Sequence, residues 1–236
     1  MIASPAPTAI RGTLTALVLA GWTAGFPAAA FPQPQGTPSS GGLELSGGMG
    51  VCAVDAPDLS EWISNTTPGD GKLASFTTAV EFFGAAGIRI SGPWRLKAEY
   101  GYVLTSYNRT AQLGPAEFSM AAHLPSVILE YVFADEGMYL FKAGAGGGYH
   151  VGTVDQRYAF LDTRFTAQGI GLVAELEGNT ALSEQLFAYL AVTTRWEALG
   201  ELRDRNGGTA GGAAYAPAPT LQMFALGARL GVSFYF

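Results

Sequence analysis

The chain closes on FALGARLGVSFYF, Phe224 to Phe236. Its even positions are Phe224, Leu226, Ala228, Leu230, Val232, Phe234 and Phe236, and its odd positions are Ala225, Gly227, Arg229, Gly231, Ser233 and Tyr235. Successive side chains of a strand point to opposite faces. One face is therefore continuously apolar, and the other is small or polar with a single charge at Arg229. The stretch exceeds the roughly 9–11 residues that a tilted strand needs to cross a bilayer. It predicts a membrane-crossing strand.

Upstream, the same alternation predicts seven more strands. They are 43–54 (Leu43, Leu45, Met49 and Val51 on one face), 76–90 (Phe76, Val80, Phe82, Ile88), 94–105 (Trp94, Leu96, Tyr100, Leu104) and 118–133 (Val127, Leu129, Tyr131, Phe133). The others are 138–151 (Tyr139, Phe141, Ala145, Tyr149), 165–176 (Ile170, Leu172, Leu176) and 186–198 (Leu190, Val192, Trp196). In the fourth segment the apolar phase is even before Pro125 (Met120, Ala122, Leu124) and odd after it, which predicts a bulge at the proline. In the sixth, Arg164, Thr166 and Gln168 fall on the apolar face and are expected beyond the hydrocarbon.

The connections alternate in length. Short ones fall at 91–93, 135–137 and 179–184. Long ones fall at 55–71, 106–117, 152–162 and 200–219, and all seven aspartates lie in connections. Even strand number, short turns at one end and longer loops at the other are the pattern of a bacterial transmembrane barrel. Aromatics gather at two levels, with Trp94, Phe133, Tyr139 and Phe236 near one rim and Phe76, Tyr149, Trp196 and Phe224 near the other. The fold class predicted is all-β: one eight-stranded antiparallel up-and-down transmembrane β-barrel over residues 42–236.

The faces opposite the apolar ones carry Glu44, Glu81, Arg89, Arg95, Lys97, Glu99, Glu130, Lys142, Glu175, Glu177, Arg195, Glu197 and Arg229. In a soluble barrel these would face water and the apolar face would line the interior. In a membrane barrel they line the lumen, because Arg or Lys on the lipid side at mid-depth costs about 2–4 kcal/mol each. Charged residues make up only 14% of the chain and hydrophobic ones 48%, which favours the membrane arrangement. Eight strands leave room only for side chains inside, so paired carboxylates and bases are expected to form a plug. On this face reading, Leu230→Arg should block assembly far more than Gly231→Ser.

The amino-terminus has Arg11, an apolar stretch from Leu14 to Phe26 and the small run Ala28-Ala29-Ala30. This is the pattern of a cleavable signal peptide over residues 1–30. Residues 31–41, rich in Pro, Gly and Ser, form a linker. The single cysteine, Cys52, leaves no internal disulfide and reads as a small buried side chain. A net charge of −6 without a basic run gives no reason to expect nucleic acid as a partner.

The signal, the eight segments and the ending Gly231-Val232-Ser233-Phe234-Tyr235-Phe236 resemble the small outer-membrane β-barrels of the OmpA/OmpX/OmpW and opacity-protein superfamily. The resemblance covers nearly all of the expected mature chain, without singling out a subfamily. It implies a bacterial outer-membrane location, contact with outer-membrane lipid and lipopolysaccharide, and an assembly signal at Val232, Phe234 and Phe236 for the barrel-assembly machinery. It implies a structural or surface-interaction role, with OmpW-like passage of small hydrophobic solutes as the alternative. Passage would require an apolar gap in the wall or upper lumen.

Little in the sequence points to chemistry, and no catalytic, cofactor or metal residues are expected. His123 and His150 could become neighbours if the strands slip at Pro125, but two histidines without a third ligand make a weak metal site. A lipid-modifying enzyme of the lipid A deacylase type is the third reading. His123, Ser126 and Glu130 supply its residue types, yet residues three apart on a strand face opposite ways. The glycine run Gly144 to Gly148, broken by Ala145, sits within a strand and relieves crowding rather than cradling phosphate. The long loops are the place for an extracellular ligand. The first is acidic, with Asp55, Asp58, Glu61 and Asp70 and a possible anchor in Trp62. The last carries a glycine-alanine run, Gly207 to Ala214, expected to be mobile.

Overall fold

The computed structural model describes residues 42–66, 76–111, 114–158, 161–211 and 218–236. The expected signal peptide and linker, and the end of the glycine-alanine run from Gly212 to Ala214, lie outside the described residues. The strands are β1 Leu43–Asp55, β2 Phe76–Ser91, β3 Trp94–Ala111, β4 Gly114–Asp135, β5 Tyr139–Tyr158, β6 Leu161–Ala181, β7 Leu186–Glu201 and β8 Thr220–Tyr235, with one helix, α1 Pro57–Thr66. Each strand pairs antiparallel with the next, and β8 returns to β1, closing a barrel. Closure pairs every strand edge, the condition for spanning a bilayer with strands. No described helix is long and apolar enough to cross a membrane.

Period-two alternation sorts the side chains. Leu45, Val51, Phe82, Tyr100, Leu129, Leu172, Leu190, Val192, Leu226 and Leu230 all project outward and are exposed. Between them, the charged residues project inward. The tight turns at one end use glycine where the backbone enters the left-handed region, at Gly92 (φ 53°) and Gly137 (φ 71°).

Four expectations are corrected. Pro125 does not sit in a bulge: the β3–β4 ladder runs unbroken through Tyr100↔Pro125 and Gly101↔Leu124, and the shift in β4 lies between Val132 and Ala134. The apolar phase changes because the lumen changes, from charged in one half to apolar in the other, so Met120, Ala122 and Leu124 point inward and are buried. Second, most of 106–117 and 152–162 is strand, not loop. Beyond the apolar belt the pattern inverts, with Tyr107, Phe118 and Val154 buried inside and Ser106, Glu117 and Arg157 turned outward. Third, Trp62 anchors nothing outside: α1 folds inward and buries it completely. Fourth, Gly231 is not a tolerant site. A Cβ there would meet the Gly47 oxygen at 2.3 Å across the β1–β8 seam, so Gly231→Ser forces the backbones apart.

Candidate functional site

The lumen is stacked in layers. At the tight-turn end, Leu140, Phe187 and Tyr235 form an apolar floor, with the Arg95 guanidinium 5.5 Å from the Tyr235 ring centre. Above it Lys142 Nζ donates to both Glu44 oxygens (2.9 and 3.0 Å), and Arg95 Nη2 lies 3.0 Å from Glu44. Lys142 also pairs with Glu177 at 2.5 Å. The next layer centres on Lys97, which contacts Glu175, Glu130 (3.0 Å) and Glu177 (3.2 Å). Beside it, Arg229 binds Glu81 (2.5 Å) and Glu99 (2.9 Å), and Arg195 binds Glu99 (2.5 Å). Phe83 stacks under the Arg229 guanidinium at 4.8 Å.

Twelve of the charged residues named from sequence are buried here: Glu44, Glu81, Arg95, Lys97, Glu99, Glu130, Lys142, Glu175, Glu177, Arg195, Glu197 and Arg229. Arg89 is the exception and a correction. It lies at the rim, exposed, where its Nε donates to the Gly92 oxygen at 2.7 Å. The ladder breaks just beyond it, between Arg89 and Ser91, and a long cationic side chain at the mouth reaches solvent at little cost. Glu130, Glu175 and Glu177 hold carboxylates within 4.8 Å of one another, close enough for a cation. That position is taken by the Lys97 ammonium, which touches all three.

The histidines separate. His123 faces outward, half-buried, bonded to the Tyr100 hydroxyl at 2.6 Å and packed at a tilt against Tyr102 with ring centres 4.8 Å apart. His150 faces the lumen, fully buried, with Nε2 3.1 Å from Ser126 Oγ and Nδ1 against Glu197. A two-histidine site is therefore excluded by the pleat, as is a grouping of His123 with Ser126 and Glu130, both of which are inward.

The Ser126–His150–Glu197 array spans β4, β5 and β7 and was not legible from spacing, because its members are 24 and 47 residues apart. Its order is that of an acyl-transfer triad. All three residues are buried, and the space beside Glu197 and Leu124 has room for about one water molecule. The array is thus a sealed hydrogen-bonded layer of the plug. It exists because Gly171 leaves room: a Cβ there would fall 1.9 Å from a Glu197 oxygen and 2.1 Å from His150 Nδ1. Gly171→Ala is expected to expel the pair from that position and destabilise the barrel by about 1–3 kcal/mol, read as a lower urea midpoint in vesicles.

Above this layer the interior is apolar. Trp62 from α1 packs edge-on against Phe118 (5.6 Å) and Phe165 (5.5 Å), with Leu59 and Ile63 buried alongside. Asp58 bonds Thr220, fixing the helix to β8.

On the outer wall, the apolar belt is bounded by exposed aromatics: Trp94, Phe133, Tyr139 and Phe236 at one level, Tyr149, Trp196 and Phe224 at the other. Val232 and Phe236 are exposed, and the Phe234 ring packs tilted against Phe236 with centroids 4.9 Å apart. Beyond the belt Arg164 grips Asp155 through Nε (2.5 Å) and Nη2 (2.8 Å). That hydrogen bonding holds the Asp155 carboxyl below the usual range.

No protein-family model matches the sequence, and no curated protein is significantly similar to it. Solved structures similar in fold include the following two. Neisserial surface protein A aligns with a TM-score of 0.53 at 12% identity, covering 82% of this chain and 97% of that one. Ail, the attachment invasion locus protein of Yersinia pestis, aligns with a TM-score of 0.50 at 9% identity, covering 84% and 99%. The chain has the fold of the small outer-membrane β-barrel proteins.

Proposed function

We propose that the protein is exported by a cleaved amino-terminal signal and resides in the bacterial outer membrane as a sealed up-and-down barrel with a structural or surface-interaction role and no catalysis. The carrying observation is the pairing of an apolar exterior with a lumen closed by buried ion pairs. An exterior of exposed Leu, Val, Phe and Trp is stable against acyl chains and not against water. The tight turns then face the periplasm, where the carboxy-terminal strand meets the barrel-assembly machinery. The long hairpins face outward, where lipopolysaccharide and an extracellular ligand are in reach. Cell fractionation with heat-modifiable gel mobility tests this: the mature chain should be found in the outer-membrane fraction and migrate differently before and after boiling. Recovery as freely dissolved protein overturns it.

The apolar outer half of the lumen favours a second reading, passage of small hydrophobic solutes. Here α1 occupies the entrance, with Trp62 filling the space such a solute would use. Trp62→Ala should raise uptake of an apolar dye into protein-containing liposomes severalfold if this path exists. Unchanged uptake leaves the sealed barrel as the reading.

A further inference from the structure

The charges of the lumen do not balance. Arg95, Lys97, Lys142, Arg195 and Arg229 form one connected set of ion pairs with six carboxylates, those of Glu44, Glu81, Glu99, Glu130, Glu175 and Glu177. Among the described residues no other base reaches this set. Glu197 lies apart, against His150, so counting His150 as charged still leaves one carboxylate over. A buried charge without a partner is costly enough that such a group is neutralised instead.

The register shows where the surplus falls. Glu130, Gly144 and Glu175 are ladder partners on β4, β5 and β6. Gly144 puts no side chain between the two acids: a Cβ there would meet Glu130 Cγ and a Glu175 oxygen, each at 3.2 Å. Like charges facing each other across a sheet repel. These two acids are also the least satisfied. Glu177 pairs with Lys142 and accepts from the Asn179 amide at 2.6 Å. Glu130 accepts no hydrogen bond at either oxygen and Glu175 none at Oε2, although both residues are buried. The bases around them are engaged elsewhere. Lys97 from β3 is shared with Glu177 and Glu99. Arg95, also from β3, is 3.9 Å from Glu130 and binds Glu44 more closely. Lys142 from β5 is 3.6 Å from Glu130 and committed to Glu44 and Glu177. Arg229 from β8 is 3.8 Å from Glu175 and committed to Glu81 and Glu99. On β7, Tyr189 is buried with a hydroxyl that has no hydrogen-bond partner among the described residues. A metal ion has no room here, since the Lys97 ammonium fills the space among Glu130, Glu175 and Glu177. A proton needs none.

We propose that the Glu130–Glu175 pair binds one proton at neutral pH, and that this proton is the sixth positive charge of the plug. Two carboxyl groups in one site hold a proton as a unit, not as separate residues. The inference rests on the sealed-barrel reading and adds what completes its charge count.

The test is infrared spectroscopy of the full mature barrel, folded in lipid vesicles at neutral pH. Wild type should show the carbonyl band of a buried carboxylic acid. Glu175→Gln should remove the band, because the remaining acids then match the bases, and should leave the urea midpoint at or above that of wild type. Glu130→Gln should do the same, so poor assembly of one variant does not block the test. Glu201→Gln, which alters an exposed pair with Arg203, should leave the band unchanged. Absence of the acid band from the folded wild type overturns the proton, as does a band that survives both lumen substitutions. A Glu175→Gln midpoint well below wild type also overturns it, because an ionised Glu175 would then have been holding Lys97. A wild-type midpoint that climbs with sodium at constant ionic strength assigns the missing charge to a metal cation and overturns it too. Planar-bilayer conductance tests sealing by itself, so a barrel that conducts no ions and shows no acid band refutes only the present inference.

Discussion

Lys97→Met will destabilise the folded barrel by about 3–5 kcal/mol, the cost of leaving buried charges without their partner. Lys97 is almost wholly enclosed, and its ammonium stands among Glu130, Glu175 and Glu177, with Glu99 at 3.9 Å. Deleting it leaves three carboxylates within 4.8 Å of one another, in a medium where their repulsion is weakly screened. Lys142 keeps its pair with Glu177 (2.5 Å) and lies 3.6 Å from Glu130, so the stranded charge falls mainly on Glu175. Arg229 does not replace Lys97 there, since its distance to Glu175 is 3.8 Å and its short contacts go to Glu81 and Glu99. Adding Glu175→Gln should recover part of the loss, because it removes one of the stranded acids. Arg203→Met serves as the comparison. Its pair with Glu201 is solvent-exposed, at 57% and 43% of the side chains, and exposed pairs contribute about 0–1 kcal/mol. Urea unfolding in vesicles, followed by tryptophan fluorescence, measures all three. If Lys97→Met and Arg203→Met shift the midpoint equally, the lumen network does not hold the barrel together.

What could be read from sequence follows from where alternation has a single meaning. Across the apolar belt, outward means apolar and inward means polar, so Leu226, Arg229 and Leu230 declare their faces and the charged lumen can be listed residue by residue. Beyond the belt that code inverts. Phe118, Met120 and Leu124 are apolar because they point inward to the chamber under α1, and a reader carrying the membrane code forward inserts a bulge at Pro125 that the ladder lacks. The same inversion disguises the ends of β3 to β6 as polar loops. Trp62 reads as an exposed anchor because nothing local shows that α1 turns into the barrel mouth. Ser126, His150 and Glu197 meet only through register, and register depends on where the hairpins turn. Arg89 has the inward parity of its strand, but at the rim parity no longer fixes burial.

Leu230→Arg should abolish nearly all assembled, heat-modifiable barrel, while Leu182→Arg should leave assembly at the wild-type level. The two leucines are almost equally exposed, at 64% and 59%. In water they would tolerate arginine alike. They differ in depth. Leu182 sits in the turn between β6 and β7, at the level of solvent and head groups. Leu230 lies six residues before Phe236 on β8. At a rise of about 3.3 Å and a tilt of about 40°, that places it roughly 15 Å above the rim, near the middle of an apolar band about 25 Å tall. Arginine there costs about 2–4 kcal/mol against lipid, and its paired neighbours Met49 and Leu190 offer no carboxylate. The side chain cannot turn inward either, because the pleat fixes its face and Arg229 already occupies the lumen side. The penalty falls on β8, the strand that closes the ring against β1, so it acts on closure itself. Equal assembly of both variants in outer-membrane fractions would mean that Leu230 does not face lipid, and the apolar exterior would then require some other cover.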